Sequence, residues 1–266
     1  MRALSATGDN GLVELVRVPE PSVAAGEVLV DVQAVSVNRG ELHRLTSATA
    51  GWRPGWDFAG VVADQEKSGT APAAGHLLPG TRVFGIADGG SLAERVAVPA
   101  ARLAVIPDGL TVEWAATLPT AGLTALRTLR MAGDLAGASV LVTGAAGGGG
   151  RFAVQLARRF KAEVTAVVGQ PERGEGLAAL GAAKVVAGVE GVEAVNDLDG
   201  PRTADDLTYL ARLVVTGELT VDIAAVNDWR DARETLHRLR DRRVAGKAVL
   251  LVTWMKPADR PTRKIS

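Results

Sequence analysis

Short apolar runs, separated by glycine and proline residues, fill the first part of the chain. They predict strands at Leu12–Val18, Glu27–Val37, Phe58–Val62, Thr81–Ile86 and Ala93–Pro99. Up to about Thr117 the pattern therefore predicts a compact, barrel-like β domain.

A strand, a turn and a helix follow one another in the middle of the chain. The apolar strand Val140–Val142 leads into a glycine-dense turn, and an amphipathic helix comes next. In that helix Phe152, Leu156 and Phe160 recur at i, i+4 and i+8, so they predict one buried face.

The same alternation continues beyond this helix. Glu163–Val168 predicts a second apolar strand, and Leu177–Val186 predicts a further helix and a short third strand. This βαβαβ order is typical of a parallel α/β sheet. A second domain is therefore predicted from Ala121 onward.

The last part of the chain predicts one more helix and strand. The helix has an N-terminal cap at Asp228 and an apolar stripe, and the apolar strand Ala248–Val252 follows it. This unit closes either of the two domains. The stripe consists of Trp229, Ala232, Leu236 and Leu239.

Composition excludes several classes of protein. The chain has 266 residues and a formal net charge of +0, so no overall field attracts nucleic acid or an anionic membrane. The absence of cysteine excludes disulfides and thiolate zinc sites, and the scattered His43, His76 and His237 are a poor metal set. No signal peptide or membrane-spanning run is recognisable, so we expect a cytoplasmic protein with a small-molecule substrate.

The glycine-dense turn predicts a phosphate site. Glycines let the backbone approach a pyrophosphate, and the N–H groups at the start of the next helix face the anion. The alternative is a turn packed closely against a sheet without any ligand. The surrounding βαβαβ order favours nucleotide binding.

The order of several motifs resembles the zinc-independent quinone oxidoreductase and enoyl reductase branch of the medium-chain dehydrogenase/reductase superfamily. The resemblance covers nearly the whole chain. Its motifs are the strand 26–30 with the loop 37–41, the segment 55–62, the helix start 118–125, the glycine turn 144–150 and the terminal Gly-Lys strand 244–250.

The resemblance implies an α/β protein with a β-rich GroES-like catalytic domain at 1–120 and a truncated, Rossmann-like nucleotide-binding domain at 121–227. Residues 228–255 are expected to pack back onto the first domain. The family transfers hydride from NADPH to a quinone or to an activated carbon–carbon double bond, in the cleft between the domains. The protein orients the substrate and stabilises enolate charge, while the cofactor supplies the hydride.

By position in the family motifs, residues in three places are candidates for cofactor binding. Ala145, Gly148 and Gly150 form the pyrophosphate turn, and Gly149 stands where the family has valine. Gly169 ends the second strand without the acidic residue that binds an NAD ribose, and Arg173 is placed to pair with a 2′-phosphate, which favours NADPH. Arg173 is otherwise a solvated arginine at a helix start. Thr124 is a candidate for nicotinamide contact or an ordinary helix residue.

The catalytic candidates lie in the loop after the third predicted strand. Asn38 is the first candidate for a hydrogen bond to the developing enolate, with a turn residue as the alternative. Glu41 replaces the family's aspartate and holds the loop or polarises substrate, and His43 donates a proton or is simply exposed. Asp57 is expected to support the fold.

The sequence departs from the family after Gly200. Residues 191–201 look like an eroded fourth strand, and the helix starting at Thr203, with Thr203 as its cap, follows immediately. The second half of the cofactor domain is therefore shortened, and Leu219–Val226 is expected to pair with the central strand so that its edge is covered.

This departure leaves three functions open. The first is an NADPH-dependent reductase. The second is a redox-inactive enzyme that isomerises or cyclises a secondary metabolite without cofactor, and the third is a non-catalytic binding protein. The oligomeric state also stays open, because the family's dimer strand belongs to the shortened part; a homodimer and a monomer are both compatible with the sequence.

Overall fold

A seven-stranded sheet is the largest element of the structure, a computed structural model that describes residues 1–9, 13–64, 77–188 and 202–253. Its strand order is β11-β12-β3-β4-β5-β7, and β6 also pairs with β3. A separate antiparallel pair joins β1 and β2. The strands are β1 Arg2–Ala6, β2 Val13–Arg17, β3 Glu27–Val37, β4 Asp57–Val62, β5 Arg82–Ile86, β6 Arg95–Pro99, β7 Leu103–Val105, β8 Ser139–Val142, β9 Glu163–Val168, β10 Lys184–Ala187, β11 Ile223–Asp228 and β12 Lys247–Leu251.

All but the first of the α-helices in the described residues come after β7. Short 3-10 turns at Ala100–Arg102, Pro171–Gly174 and Trp229–Asp231 connect some of the elements. The α-helices are α1 Arg39–Ser47, α2 Val112–Thr117, α3 Pro119–Met131, α4 Gly148–Arg159, α5 Thr203–Val215 and α6 Ala232–Arg240.

Strand β3 organises the large sheet because its length lets it pair with several strands. Its first half, from Glu27 to Asp31, pairs with β6, and its last residues pair with β12, both antiparallel. Strand β4 lies along its other side. Val28, Val30 and Val32 are fully buried, so this strand lies in the core of the β-rich part. The predicted β-rich domain is confirmed, and β1 and β7 are strands that the apolar pattern missed.

A second, parallel sheet of order β10-β9-β8 contains the predicted glycine turn. Helix α4 crosses from β8 to β9, and its residues Phe152 and Leu156 are buried as their spacing predicts. The mixed α/β fold with a Rossmann-like sheet is therefore confirmed. Among the described residues, β8 pairs with β9 alone, so it is an edge strand.

The helix predicted within 177–186 is wrong. The structure has turns up to Gly181 and then β10 at Lys184–Ala187. Gly176 and Gly181 adopt φ angles of +78° and +110°, which a right-handed helix does not contain. These glycines turn the chain where the apolar residues alone favoured a helix.

Two expectations about the later part of the chain are also wrong. Strand β11 pairs in parallel with β12 of the large sheet and not with β8, so it does not cover the β8 edge. Thr203 is the first residue of α5, after Arg202 at the cap position, and its hydroxyl instead accepts a hydrogen bond from Arg127. The eroded fourth strand predicted at 191–201 lies outside the described residues.

The helix predicted near the C-terminus is present as α6, but the predicted cap Asp228 caps the 3-10 turn that leads into it, and Asp231 stands at the cap position of α6 itself. The Asp228 side chain accepts a hydrogen bond from the backbone N–H of Arg230, and all members of the predicted stripe are buried. Strand β12 then pairs with β3, so the end of the described chain belongs to the β-rich sheet. The exact domain boundaries at 120 and 227 stay a prediction.

The two parts of the fold meet along α3. A buried ion pair joins α3 to α5, with 3.1 Å between Arg127 Nε and Asp206 Oδ2. Buried side chains of the large sheet, among them Phe84 and Val249, belong to the same apolar cluster as α3 and α4. A parallel bridge between Gly147 and Gly246 also joins the turn before α4 to the start of β12.

Candidate functional site

A cavity of about 270 Å³ lies where the glycine turn meets the large sheet. Its walls come from the end of β3, the starts of α1, α3 and α4, and the start of β12. The residues that line it include Asn38, Arg39, Thr120, Thr124, Gly147, Gly148, Gly149, Gly150, Arg173, Gly246 and Lys247. Residues from distant parts of the chain therefore form one pocket.

The glycine turn brings the backbone close to this cavity. Gly147 precedes α4 without any side-chain cap, so the first N–H groups of the helix are open to a ligand. Gly147 also forms a parallel bridge with Gly246, just before β12. The turn and the last strand are thus joined at the cavity wall.

Two glycines of the turn are required by close approach. A Cβ on Gly150 would lie 2.3 Å from the carbonyl oxygen of Gly144 and 2.6 Å from the Cα of Ala145. A Cβ on Gly148 would lie 2.3 Å from Cδ of Lys247. Gly149 has more room, because its nearest neighbour would be the Ala121 oxygen at 3.9 Å. Gly148 and Gly150 are therefore packed closely against protein atoms, whereas Gly149 leaves free space at the cavity wall.

Arginines from three separate segments approach one another beside the cavity. Partial burial, then the charges of Arg242 and Arg173, lower the pKa of Arg39. A Cβ on Gly169, at the end of β9, would lie 3.8 Å from Nη1 of Arg242. Within the described ranges, no acidic side chain forms an ion pair with any of these arginines. The cluster of Arg39, Arg173 and Arg242 is thus a concentration of positive charge that an anion would stabilise.

Asp57 is the centre of a buried polar network at the floor of the cavity. Its Oδ1 accepts hydrogen bonds from the backbone N–H of Thr120, at 2.8 Å, and from the Thr120 hydroxyl. Its Oδ2 accepts one from Asn38 Nδ2 at 2.9 Å and lies 3.7 Å from Lys247 Nζ. The Asp57 side chain is fully buried, so these donors replace water.

The Asn38 amide is fully engaged by protein groups. Its Oδ1 accepts a hydrogen bond from Lys247 Nζ at 2.6 Å. Its Nδ2 donates to Asp57 and, at 3.3 Å, to Glu41 Oε2, which also accepts from the Asn38 backbone N–H at 2.7 Å. An amide has two N–H donors, so Asn38 has no free hydrogen for a substrate in this arrangement.

Burial governs the charges of this network. Burial, and then the Asp57 charge, raise the pKa of Glu41 to about 7. Burial also raises the pKa of Asp57 against the opposing effects of Lys247 and Thr120, and burial lowers the pKa of Lys247. One ammonium balances one carboxylate, so a protonated Glu41 beside ionised Asp57 and Lys247 leaves the network neutral.

The structure brings most of the predicted site residues together. Asn38, Thr124, Gly148, Gly149, Gly150 and Arg173 line the cavity. Glu41 is buried beneath it, Ala145 is buried under the turn, and Gly169 faces Arg242. His43 lines a different groove between α1 and α6, so it is separated from the other candidates. Their roles stay predictions.

Sequence reasoning missed Lys247, Thr120, Arg39 and Arg242 as site residues. Lys247 begins an otherwise apolar strand and is 4% exposed, and a lysine in such a position is a signal that it has a buried partner. The arginines gave no signal, because Arg39 at a helix start and Arg242 just after a helix end resemble ordinary solvated side chains. Within the described ranges, no three metal-binding side chains lie together, and no helix is long and apolar enough to cross a bilayer.

Comparison with known proteins identifies the β-rich part. Residues 24–108 match the alcohol dehydrogenase GroES-like domain. The chain is 39% identical over 180 residues to erythronolide synthase EryA2 of Saccharopolyspora erythraea, a match that covers 65% of this chain and 5% of the synthase. It is 38% identical over 138 residues to acrylyl-CoA reductase AcuI of Ruegeria pomeroyi, which covers 50% of this chain and 42% of the reductase. The chain thus spans less than two thirds of these relatives' length.

The whole fold also resembles solved structures. The quinone oxidoreductase from Coxiella burnetii superposes with a TM-score of 0.83 at 22% identity, over 95% of this chain and 99% of that one. The resemblance at this identity shows a shared fold. It includes the β-rich sheet and the parallel sheet with its glycine turn.

Proposed function

We propose that the chain is an NADPH-dependent oxidoreductase of the quinone oxidoreductase-like branch of the medium-chain dehydrogenase/reductase superfamily, a proposal that its GroES-like match and its similarity to reductases support. Its substrate is a quinone or an activated carbon–carbon double bond, bound in the cavity between the two sheets. The observation that carries the proposal is the open glycine turn beside the cluster of Arg39, Arg173 and Arg242, which forms no ion pair within the described residues.

The residues present fit the phosphates of NADPH. The uncapped start of α4, with glycines at Gly148 and Gly150, suits a pyrophosphate, because backbone N–H groups and the helix dipole face it. The arginine cluster lies at the end of β9. In Rossmann-like folds the adenosine ribose of a dinucleotide, which carries the 2′-phosphate in NADPH, binds at this position. Guanidinium groups that have no acidic partner in the described part of the chain favour a 2′-phosphate over the bare hydroxyl of NADH.

The polar network at the cavity floor orients the reacting groups. When bound, NADPH supplies the hydride. Lys247 Nζ has three hydrogens, of which Asn38 takes one and Asp57, at 3.7 Å, attracts another. The remaining hydrogen is available to the cavity that Lys247 lines, so it is suited to stabilise negative charge on a substrate oxygen. In this geometry Asn38 is a positioning residue that holds Lys247.

Part of the cavity wall where the nicotinamide would bind is present, even though the parallel sheet is expected to be shortened. Thr120 and Thr124 of α3 and Lys247 of β12 line the cavity beyond the glycine turn. These groups come from elements that the shortening leaves in place. Their presence favours the reductase over the alternatives that work without a cofactor.

NADPH binding is the test of this proposal. Quenching of the five tryptophans and energy transfer to the nicotinamide report binding as NADPH is titrated. We expect saturation at micromolar NADPH and weaker binding of NADH. Arg173→Gln and Arg242→Gln each weaken NADPH binding by about tenfold, since each removes a charge-assisted hydrogen bond, and leave NADH binding unchanged.

Arg233→Gln is the matched control, because Arg233 is exposed on α6 and does not line the cavity. Consumption of NADPH with a panel of quinones and enones then identifies the substrate class. Absence of binding at millimolar NADPH rejects the proposal. Conversion of a substrate without any nucleotide would favour the cofactor-free enzyme.

A further inference from the structure

A second cavity, of about 220 Å³, lies in the groove between α1 and α6. Its apolar floor consists of Leu42 and Leu236, and Thr46 adds a hydroxyl. The remaining lining residues are Arg39, His43, His237 and Arg240. We call this cavity the α1–α6 groove. None of its lining residues takes part in the network around Asp57.

The ionisable side chains that line the groove are all basic. Arg240 Nη2 lies 2.7 Å from Nδ1 of His237, a contact that holds the guanidinium beside the imidazole. Asp241 is the nearby acid, but it lies outside the lining and is shared between Arg240, at 3.5 Å, and Arg243, at 3.0 Å. Among the described residues that line the groove there is no acid, and Asp241 offsets only part of the positive charge around it.

The groove has a further source of positive charge at its end toward the cofactor cavity. Arg39 lines both cavities, and the charges of Arg242 and Arg173 act on it there. Bringing guanidinium groups together in this way is unfavourable unless an anion separates them. The arrangement is typical of a surface that binds a strongly anionic group.

We propose that the α1–α6 groove binds a phosphate monoester, with the phosphate between Arg39, His43, His237 and Arg240 and its apolar substituent on Leu42 and Leu236. A phosphate offers three terminal oxygens to these donors, whereas a carboxylate offers two. Leu42 and Leu236 line the same cavity as the basic residues of α1 and α6, so one ligand is able to contact both helices. This site is distinct from the cofactor cavity and does not depend on the proposed reductase activity.

Nuclear magnetic resonance of the histidine rings tests the site directly. The chain has 3 histidines, and His43→Gln and His237→Gln assign the two that line the groove. Inorganic phosphate and butyl phosphate are titrated separately at constant ionic strength, with chloride as the reference anion. We expect saturable shifts of the His43 and His237 resonances, and tighter binding of butyl phosphate because of the apolar floor.

Arg240→Gln and Arg233→Gln form a matched pair on the same helix, and the second residue lies outside the groove. We expect the first change to weaken butyl phosphate binding by about tenfold and the second to have little effect. Equal weakening by both, or shifts that do not saturate, overturns the proposal. Equal affinity for inorganic phosphate and butyl phosphate overturns the proposal that the groove binds an ester and indicates that it binds a free phosphate ion.

A third titration separates this site from the cofactor cavity. It repeats the butyl phosphate experiment in the presence of saturating NADPH. Butyl phosphate binding that persists under these conditions supports a separate groove. A modest loss of affinity is consistent with this result, because Arg39 lines both cavities. Complete loss of the histidine response overturns it, because the groove would then be part of the nucleotide site. If NADPH does not bind at all, the reductase proposal fails while the phosphate titrations still decide this one.

Discussion

Glu41 shows how a single buried group makes stability depend on pH. Its carboxylate accepts hydrogen bonds from the backbone N–H groups of Asn38 and, at 3.1 Å, of Trp56. Burial nevertheless raises its pKa to about 7, from 4.5 in the unfolded chain. The folded protein therefore keeps a proton on Glu41 that the unfolded chain has already lost. This contribution is fully present below pH 4.5 and is lost as the pH rises through about 7.

We predict that Glu41→Gln flattens this part of the pH profile. Glutamine resembles the protonated form, so the variant avoids a penalty on the order of 3 kcal/mol that the wild type acquires between pH 5 and 8. Urea denaturation at both pH values measures the free energies of unfolding. The same pH dependence in wild type and variant would show that Glu41 is ionised throughout.

At the scale of one element, the glycines at the start of helix α4 differ in how much space the surrounding atoms leave for a side chain. Gly150 faces the backbone of Gly144 and Ala145, whereas Gly149 has open space around a Cβ. Gly149 also stands where the family has valine. The first position is therefore set by packing, and the second tolerates a side chain.

We predict opposite effects of alanine at these adjacent positions. Gly150→Ala destabilises the protein by about 1–3 kcal/mol, because its Cβ forces the turn away from the helix. Gly149→Ala stabilises it by up to about 1 kcal/mol through the lower conformational entropy of the unfolded chain. Thermal and urea denaturation of the two variants provide the comparison. Equal destabilisation would mean that the turn is not packed as described.

The described part of the parallel sheet leaves β8 at its edge, which has a consequence for the whole molecule. Among the described residues β8 has a neighbour only at β9, and Leu141 on this strand is 50% exposed. An edge strand with an exposed apolar residue favours association with another chain. β11 does not cover it, because it pairs with β12 instead.

We predict that the protein self-associates as its concentration rises and that Leu141→Lys suppresses this association. A charge on an edge strand disfavours pairing with a second chain. Leu78→Lys is the control, since Leu78 is 62% exposed but lies outside any strand. Light scattering coupled to size-exclusion chromatography measures the mass of each form. Equal effects of the two lysines, or a wild type that is monomeric at every concentration, would contradict the prediction.

Local features of this protein were predictable from its sequence because each depends on residues close together in the chain. The strand Glu27–Val37, the helix containing Phe152 and Leu156, and the cap at Asp228 are of this kind. Periodicity and capping act within a few residues, so their patterns are visible without tertiary structure. The glycine-dense sequence likewise predicted the turn before α4, and the motif order predicted the GroES-like domain that residues 24–108 match.

The tertiary structure decided which distant residues meet. Lys247 reaches Asn38 across 209 positions, and Arg242 joins Arg39 and Arg173 beside the glycine turn. It also decided that β11 pairs with β12, whereas the sequence had predicted pairing of this segment with the central strand of the parallel sheet. Strand pairing and its register set these contacts, and they depend on the packing of the whole chain, which no local pattern encodes.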